Sequence, residues 1–155
     1  MKWIIYSILA GVLIYIMFKK YNTEQIINLI EQSAYDNNID PNILLAIAQQ
    51  ESSFNPSNKN LKDPNGGSYG LFGLTLKYAQ TFQPNITAED LLNPVTNINI
   101  AIQLLKSNMK FGSTPADIFD EWNSGIHKDS TGNIVPTASP NLDKYMAYYK
   151  QWSNT

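Results

Sequence analysis

The chain has 155 residues, of which 43% are hydrophobic, and a formal net charge of −2, which suits one globular domain with a real core. The small net charge and scattered basic residues argue against nucleic acid as a partner. The sequence has no cysteine and one histidine, His127. Disulfides, thiolate metal sites and cysteine nucleophiles are therefore excluded, and a Ser-His-Asp triad would have to use His127.

Residues 1–20 contain an uncharged apolar run, Trp3–Phe18, bounded by Lys2 and by Lys19-Lys20. As a helix the run would extend roughly 24 Å, slightly less than the apolar thickness of a bilayer, and lysines that reach toward water can close the gap. A cleaved signal peptide would need small residues after the run, where the sequence instead has Lys19-Lys20-Tyr21-Asn22. We therefore predict an uncleaved transmembrane signal anchor over 1–20, in contact with lipid through residues 3–18. Its orientation stays open because lysines flank both ends.

Periodic apolar residues predict one mainly α-helical domain over 21–155. The first helix is expected over 24–37 with Thr23 as its cap, and the second begins at Asp40-Pro41 and stops before Asn55-Pro56. Residues 55–70 are rich in proline, glycine and asparagine and predict a loop with room for a short hairpin. Further helices are predicted over 75–82, over 88–92 with Thr87 as cap, from Pro94 to Gly112, from Thr114-Pro115 through Trp122, and over Leu142–Trp152, with a surface loop over 125–140.

The second predicted helix carries the first candidate for chemistry, Glu51. Leu44, Ile47, Ala48 and Glu51 share one helical face, which is otherwise apolar. Burial of that face would desolvate the carboxyl group, raise its pKa and make it a proton donor near neutral pH. The alternative is a glutamate at the helix end that points to water or caps a neighbour.

Four short stretches add a family pattern to this helix. They are Glu51–Pro56 (ESSFNP), Ser68–Leu74 (SYGLFGL), Pro94 followed by Asn97-Ile98, and Trp122–Gly125 (WNSG). In this order, with a tyrosine in the last helix, they resemble the soluble-type lytic transglycosylases, relatives of goose-type lysozyme that cleave peptidoglycan. The resemblance spans about Asp40–Tyr149 and implies a lysozyme-like fold.

The resemblance also implies roles for single residues. Glu51 corresponds to the catalytic acid of the family, and Tyr145 matches its late tyrosine, with Tyr148 and Tyr149 close by in sequence. Gly73 stands where the family has a glutamine that binds sugar. Glu121 stands where the family has a small residue, so it adds a charge near the cleft. The predicted substrate-binding residues are Ser52, Tyr69, Gly70, Leu71, Phe72, Trp122 (tyrosine in the family), Asn123 and Tyr145. The alternative is a structural role: turn glycines at Gly70 and Gly73, core aromatics at Tyr69, Trp122 and Tyr145, and a helix end at Asn123.

The implied reaction needs one carboxyl group. Glu51 would protonate the leaving oxygen and then accept the proton of the muramyl 6-hydroxyl, which closes a 1,6-anhydro ring. A hydrolase would need a second carboxylate, for which Asp63 is the candidate, although an aspartate before Pro64 also suits a plain turn. A third interpretation is a catalytically silent module that binds the wall or serves assembly, for which the loss of glutamine at Gly73 is the best argument.

The remaining polar residues predict structural roles. Asn97 is expected to bond across helices and His127 to be solvated. Four acidic residues are expected to be surface or cap charges: Asp90, Asp117, Asp120 and Glu121. No metal or organic cofactor is implied. The expected partners are peptidoglycan strands and membrane lipid, and the expected location is a single-pass membrane protein facing the wall, with a phage virion membrane or a secretion machinery as compatible settings.

Overall fold

The computed structural model describes residues 21–63, 66–108, 114–124 and 141–155. Within them lie six α-helices, one 3₁₀ turn and a small sheet, so the prediction of a mainly helical domain is confirmed. The predicted anchor at 1–20, Met109, Gly112 and the predicted loop at 125–140 with His127 lie outside the described residues. No helix in the described part of the chain is long and apolar enough to cross a membrane. The helices are α1 (Thr23–Asp36), α2 (Pro41–Ser52), α3 (Leu76–Phe82), α4 (Pro94–Asn108), α5 (Pro115–Ser124) and α6 (Leu142–Trp152).

Helix α1 begins one residue earlier than the sequence suggested. Asn22, and not Thr23, is the cap: its side chain accepts the Gln25 N–H at 2.8 Å, and the Gln25 side chain accepts the Asn22 N–H at 3.1 Å. This reciprocal pair satisfies two backbone donors that a helix start leaves open, which a single threonine hydroxyl would not do.

Helix α2 is the centre of the fold. Asp40 caps it and Pro41 occupies its first turn, as predicted, and six successive residues from Ile43 to Ala48 are buried. A helix that is apolar on all sides has to be surrounded, and α2 packs against both α1 and α6. It ends at Ser52 because Ser53 and Phe54 adopt left-handed backbone angles, with φ of 52° and 63°, so the chain turns before it reaches the predicted stop at Asn55-Pro56.

The loop after α2 folds into a three-stranded antiparallel sheet with strand order β1-β2-β3. Strand β1 is Lys59–Asn60, β2 is Ser68–Tyr69 and β3 is Leu74–Thr75. The β1–β2 pair is the predicted hairpin, and β3 was not foreseen because two residues leave no periodic pattern in a sequence. The sheet leads directly into α3, which begins at Leu76.

The second half of the chain follows the prediction closely at the helix starts. Helices α4 and α5 begin at Pro94 and Pro115, and α6 has the predicted bounds. Helix α5 continues to Ser124, two residues beyond the expected end. The helix expected over 88–92 is a 3₁₀ turn at Asp90–Leu92, preceded by a box in which Thr87 and Asp90 exchange hydrogen bonds. Helix α6 packs against α2 and α5 and so brings the two halves of the domain together.

Candidate active site

Glu51 lies in the last turn of α2, at a groove of about 260 Å³ between the sheet and helices α3, α4 and α5. The groove collects residues that are far apart in sequence, because α5 is brought beside the end of α2 by α6. The structure therefore places Glu51 at a cleft and not on a convex surface. The lining residues are Glu51, Phe72, Gly73, Leu74, Thr75, Tyr78, Leu104, Glu121, Trp122 and Asn123.

The Glu51 carboxyl group is held by α6. The Tyr145 hydroxyl donates a hydrogen bond to Oε1, and Trp122 contributes a second hydrogen-bonding interaction. Burial raises the pKa of Glu51, and these two hydrogen bonds counteract part of that effect without cancelling it. Glu51 therefore keeps its proton at a higher pH than an exposed glutamate, which is the property of a general acid.

Tyr145 is a fixed donor for this carboxyl group. Its side chain is fully buried and its ring stacks on Phe119 with the centroids 5.3 Å apart. Burial and the negative charge of Glu51 raise the pKa of the Tyr145 hydroxyl, so it stays protonated. Among the three late tyrosines, the structure thus places Tyr145 at Glu51, whereas Tyr149 donates to Asp40 Oδ2 at 2.8 Å.

The second oxygen of Glu51 faces Gly73. A Cβ atom at Gly73 would lie 2.8 Å from Glu51 Oε2, closer than such atoms normally approach. Gly73 also has a φ of 56°, a left-handed angle that favours glycine. A glutamine at this position would therefore need a different arrangement of the carboxyl group or of the loop, so the departure from the family pattern at Gly73 fits the local geometry of this chain.

Aromatic side chains form one wall of the groove. Trp122 packs edge-on against Phe72 with the ring centroids 6.0 Å apart, and Tyr78 is 49% exposed at the rim. Asn123 lines the groove beside Trp122, and its Oδ1 accepts a hydrogen bond from Asn141 Nδ2 at 3.1 Å. Apolar ring faces beside amide groups are a surface that suits a sugar ring, which has an apolar face and a polar rim.

Five of the predicted substrate-binding residues do not line the groove: Tyr145, which bonds to Glu51, and Ser52, Tyr69, Gly70 and Leu71, which lie behind it. The Ser52 hydroxyl donates to the Leu71 carbonyl at 2.8 Å, and the Tyr69 hydroxyl donates to the Gly66 carbonyl at 3.1 Å. Leu71 is fully buried, and a Cβ atom at Gly70 would collide with its neighbours. The Ser52 bond attaches the segment between β2 and β3 to α2, and the Tyr69 bond closes the turn before β2. The geometry therefore gives Ser52, Tyr69, Gly70 and Leu71 a supporting place, in contrast to the contact with substrate that the resemblance implied.

Asn97 on α4 holds this loop from the other side. Its Oδ1 accepts the Phe72 N–H at 3.0 Å, and its Nδ2 donates to the carbonyls of Tyr69 and Leu91 at 3.0 and 2.8 Å. The predicted structural role is therefore correct, but the bonds run to loop backbone and not across helices. Gly70 fits the same arrangement, because a Cβ there would lie 2.3 Å from Asn97 Nδ2.

The prediction that Asp120 and Glu121 are surface or cap charges is wrong. Each is only 8% exposed, because α5 packs this face against α6 and the groove. Glu121 lines the groove with Glu51. Its pKa is raised by burial and by the neighbouring charges of Asp117 and Asp120. By contrast, Asp90 and Asp117 do act as predicted, each accepting hydrogen bonds from a threonine three residues earlier.

Tyr78, Leu104 and Thr75 are the lining residues that the sequence did not indicate. Nothing in their local pattern separates them from ordinary helix or strand residues, so only the packing reveals them. Asp63, the candidate second carboxylate, is not among the residues that line the groove. Within the described ranges no cluster of three or more acidic or histidine residues is arranged to hold a metal ion.

The groove, its buried glutamate and its aromatic wall agree with what a comparison of the sequence with protein families finds. The model of the transglycosylase SLT domain matches residues 28–126, which is more than half of the chain. No curated protein matches the chain. The matched segment contains Glu51, Gly73, Glu121 and Trp122, so both sides of the groove lie within it. The chain therefore belongs to the transglycosylase SLT family, whose members are enzymes that act on peptidoglycan.

Proposed function

We propose that this enzyme is a lytic transglycosylase that cleaves the β-1,4 bond between N-acetylmuramic acid and N-acetylglucosamine and leaves 1,6-anhydro-muramyl ends. The observation that supports this reaction is the state of Glu51. It is a carboxyl group with a raised pKa, oriented by the Tyr145 hydroxyl and open to a groove with an aromatic wall.

In the first step the protonated Glu51 donates its proton to the glycosidic oxygen as the bond from that oxygen to the muramyl C1 breaks. The leaving N-acetylglucosamine takes the proton as a new hydroxyl group, and positive charge develops on the muramyl ring. The resulting Glu51 carboxylate lies beside that charge. The Tyr145 hydroxyl and Trp122 stabilise the carboxylate, because hydrogen bonds donated to an ionised group favour the ionised form.

In the second step the Glu51 carboxylate accepts the proton of the muramyl 6-hydroxyl, and the 6-oxygen bonds to C1. Glu51 gives up one proton in the first step and regains one in the second, so no water and no second carboxyl group take part. The Tyr145 contact fixes Oε1, which leaves Oε2, on the side of Gly73, as the oxygen that exchanges protons with substrate.

Hydrolysis is the alternative reaction, and it requires a carboxylate that activates water. Asp63 does not line the groove, but Glu121 does, so the groove contains one further carboxyl group besides Glu51. Mass spectrometry of muropeptides released from purified cell walls separates the two reactions. Anhydro ends are expected under our proposal, and reducing ends would establish hydrolysis instead.

The role of Glu51 is tested with Glu51→Gln, which keeps the size of the side chain and removes the titratable proton. We expect loss of wall cleavage by about 10²-fold or more, the range that positioned proton transfer contributes. The matched control is Glu89→Gln, the same chemical change at an exposed position outside the groove, which should cleave like the parent. Retained wall binding without cleavage in the parent and in both variants would indicate the silent binding module.

Attachment to a membrane is a separate proposal, based on the uncharged run at residues 3–18. It is tested by vesicle flotation of the full chain against a chain that begins at Tyr21. We expect only the full chain to float with the lipid, and equal behaviour of the two would refute attachment through this run. A catalytic domain that faces the wall and a place in a phage virion or secretion machinery stay predictions.

A further inference from the structure

Glu121 is a buried carboxyl group for which the proposed reaction has no use. Its side chain is 8% exposed, lies on α5 immediately before Trp122 and lines the groove. Its Oε2 is buried and has no hydrogen-bond partner among the described residues. Native proteins rarely leave a buried polar atom without a partner, so an orphaned carboxyl oxygen beside a binding groove calls for a function.

The chemistry of a carboxylate restricts what can satisfy it. Burial and the neighbouring aspartates raise the pKa of Glu121, but its ionised form can only accept hydrogen bonds, so the partner of that form is an N–H or O–H donor. A donor that enters the groove can reach this carboxyl group because Glu121 is one of the residues that line it.

The charge of the groove narrows the choice of donor. Its described lining contains two carboxyl groups, Glu51 and Glu121, and no lysine, arginine or histidine. Asp117 and Asp120 add negative charge on the same helix, close enough to act on Glu121 electrostatically. A cationic donor gains from this field, whereas a neutral hydroxyl gains little and a free carboxylate is repelled.

From these observations we propose that Glu121 is an ammonium-binding subsite of the groove, which takes a protonated amine carried by the peptidoglycan strand. The proposal rests on the proposed function for the identity of the polymer. A strand offers this chemistry in two places, the amino group of a de-N-acetylated sugar and the side-chain amine of a diamino acid in the stem peptide. Glu121 is then a specificity-determining residue, and Glu51 remains the catalytic one.

Binding is measured first, in a Glu51→Gln background that prevents turnover. Two pairs of probes are used. The first pair is a β-1,4-linked oligomer of glucosamine and one of N-acetylglucosamine. The second pair is a muropeptide with a free side-chain amine and the same muropeptide acetylated on that amine. Isothermal titration against Glu51→Gln and against Glu51→Gln combined with Glu121→Gln gives the dissociation constants. Thermal melting by circular dichroism checks that both variants are folded.

We expect the amine-bearing member of one pair to bind about tenfold or more tightly than its acetylated partner, as befits a charge-assisted hydrogen bond. The ratio of the two dissociation constants within that pair should fall toward one when Glu121→Gln is added. The pair that shows the preference identifies the source, glucosamine for the sugar amine and muropeptide for the stem amine. Equal affinities within both pairs, or a preference that survives Glu121→Gln, would overturn the subsite.

Cleavage provides the second measurement, as the ratio of kcat/KM on de-N-acetylated to kcat/KM on fully N-acetylated walls. The parent and Glu89→Gln should share one ratio above one if the sugar amine is the ligand, and Glu121→Gln should lower it. Failure of the two proposals is distinguishable. A parent that cleaves neither wall refutes the proposed function while the binding data still decide the subsite, and cleavage without any binding preference refutes the subsite alone.

Discussion

Replacing Tyr145 with phenylalanine removes one oxygen atom from the environment of Glu51 and leaves the ring in place. The ring is fully buried and stacks on Phe119, so phenylalanine should preserve the packing. What is lost is the hydrogen bond to Glu51 Oε1. Because that bond favours the ionised carboxylate, its loss raises the pKa of Glu51 further above the ordinary range.

The size of the effect follows from the kind of bond. A hydrogen bond to a charged group contributes about 1.5–3 kcal/mol. If the carboxylate formed in the first step loses that stabilisation, the rate should fall by about 10- to 100-fold. The pH dependence should change as well, because the first step needs protonated Glu51. The descending limb of kcat/KM, which reports the acid of the free enzyme, should move to higher pH.

The assay is release of soluble muropeptides from purified cell walls as a function of pH. Tyr149→Phe is the matched control. It removes a hydroxyl group from the same helix, but that hydroxyl donates to Asp40 at 2.8 Å and not to Glu51. We expect Tyr149→Phe to lower the free energy of unfolding by about 1 kcal/mol and to leave the descending limb of kcat/KM at the pH of the parent. A Tyr145→Phe profile that superimposes on the parent, or an equal shift in Tyr149→Phe, would refute the reasoning.

Three further changes test the surroundings of the site. Gly73→Ala should lose about 1–2 kcal/mol in thermal unfolding from its left-handed backbone angle, and should lose wall cleavage because its Cβ would lie 2.8 Å from Glu51 Oε2. Asn97→Ala should cost about 3–4 kcal/mol in urea unfolding, because it removes three buried hydrogen bonds, to the Phe72 N–H and to the carbonyls of Tyr69 and Leu91. The pKa of Glu51 is raised above 4.5 in the folded protein, so the folded state holds that proton more tightly than the unfolded chain, and the free energy of unfolding should decrease as pH rises above that value. Glu51→Gln should weaken this decrease at pH values above the ordinary pKa of a glutamate.

Each of these expectations has a contrary outcome. Full cleavage by Gly73→Ala would mean that Glu51 has space the structure does not provide. A loss below about 1 kcal/mol in Asn97→Ala would mean that water replaces its three hydrogen bonds. An unchanged slope of stability with pH in Glu51→Gln would show that the carboxyl group is not desolvated, and with it the argument for a proton donor would fail.

The sequence alone was sufficient wherever a signal is local. Helix starts at Asp40-Pro41, Pro94 and Pro115 were readable because proline and capping residues act within one turn. The position of Glu51 at the end of an apolar helix followed from the 3.6-residue period, and the family resemblance from short stretches in order. The start of α1 is predicted one residue late, because the reciprocal hydrogen bonds between Asn22 and Gln25 place the cap at Asn22.

Other features could be decided only by the tertiary structure, because they depend on residues brought together from distant parts of the chain. Glu121 has the local pattern of a surface charge, and only the packing of α5 against α6 and the groove buries it. Three tyrosines in α6 have similar surroundings in sequence, and only the packing of α6 on α2 selects Tyr145 for Glu51 and Tyr149 for Asp40. Periodicity determines which face of a helix is apolar, but the partner of that face, and hence the environment of every carboxyl group at its edge, is fixed only when the helices pack.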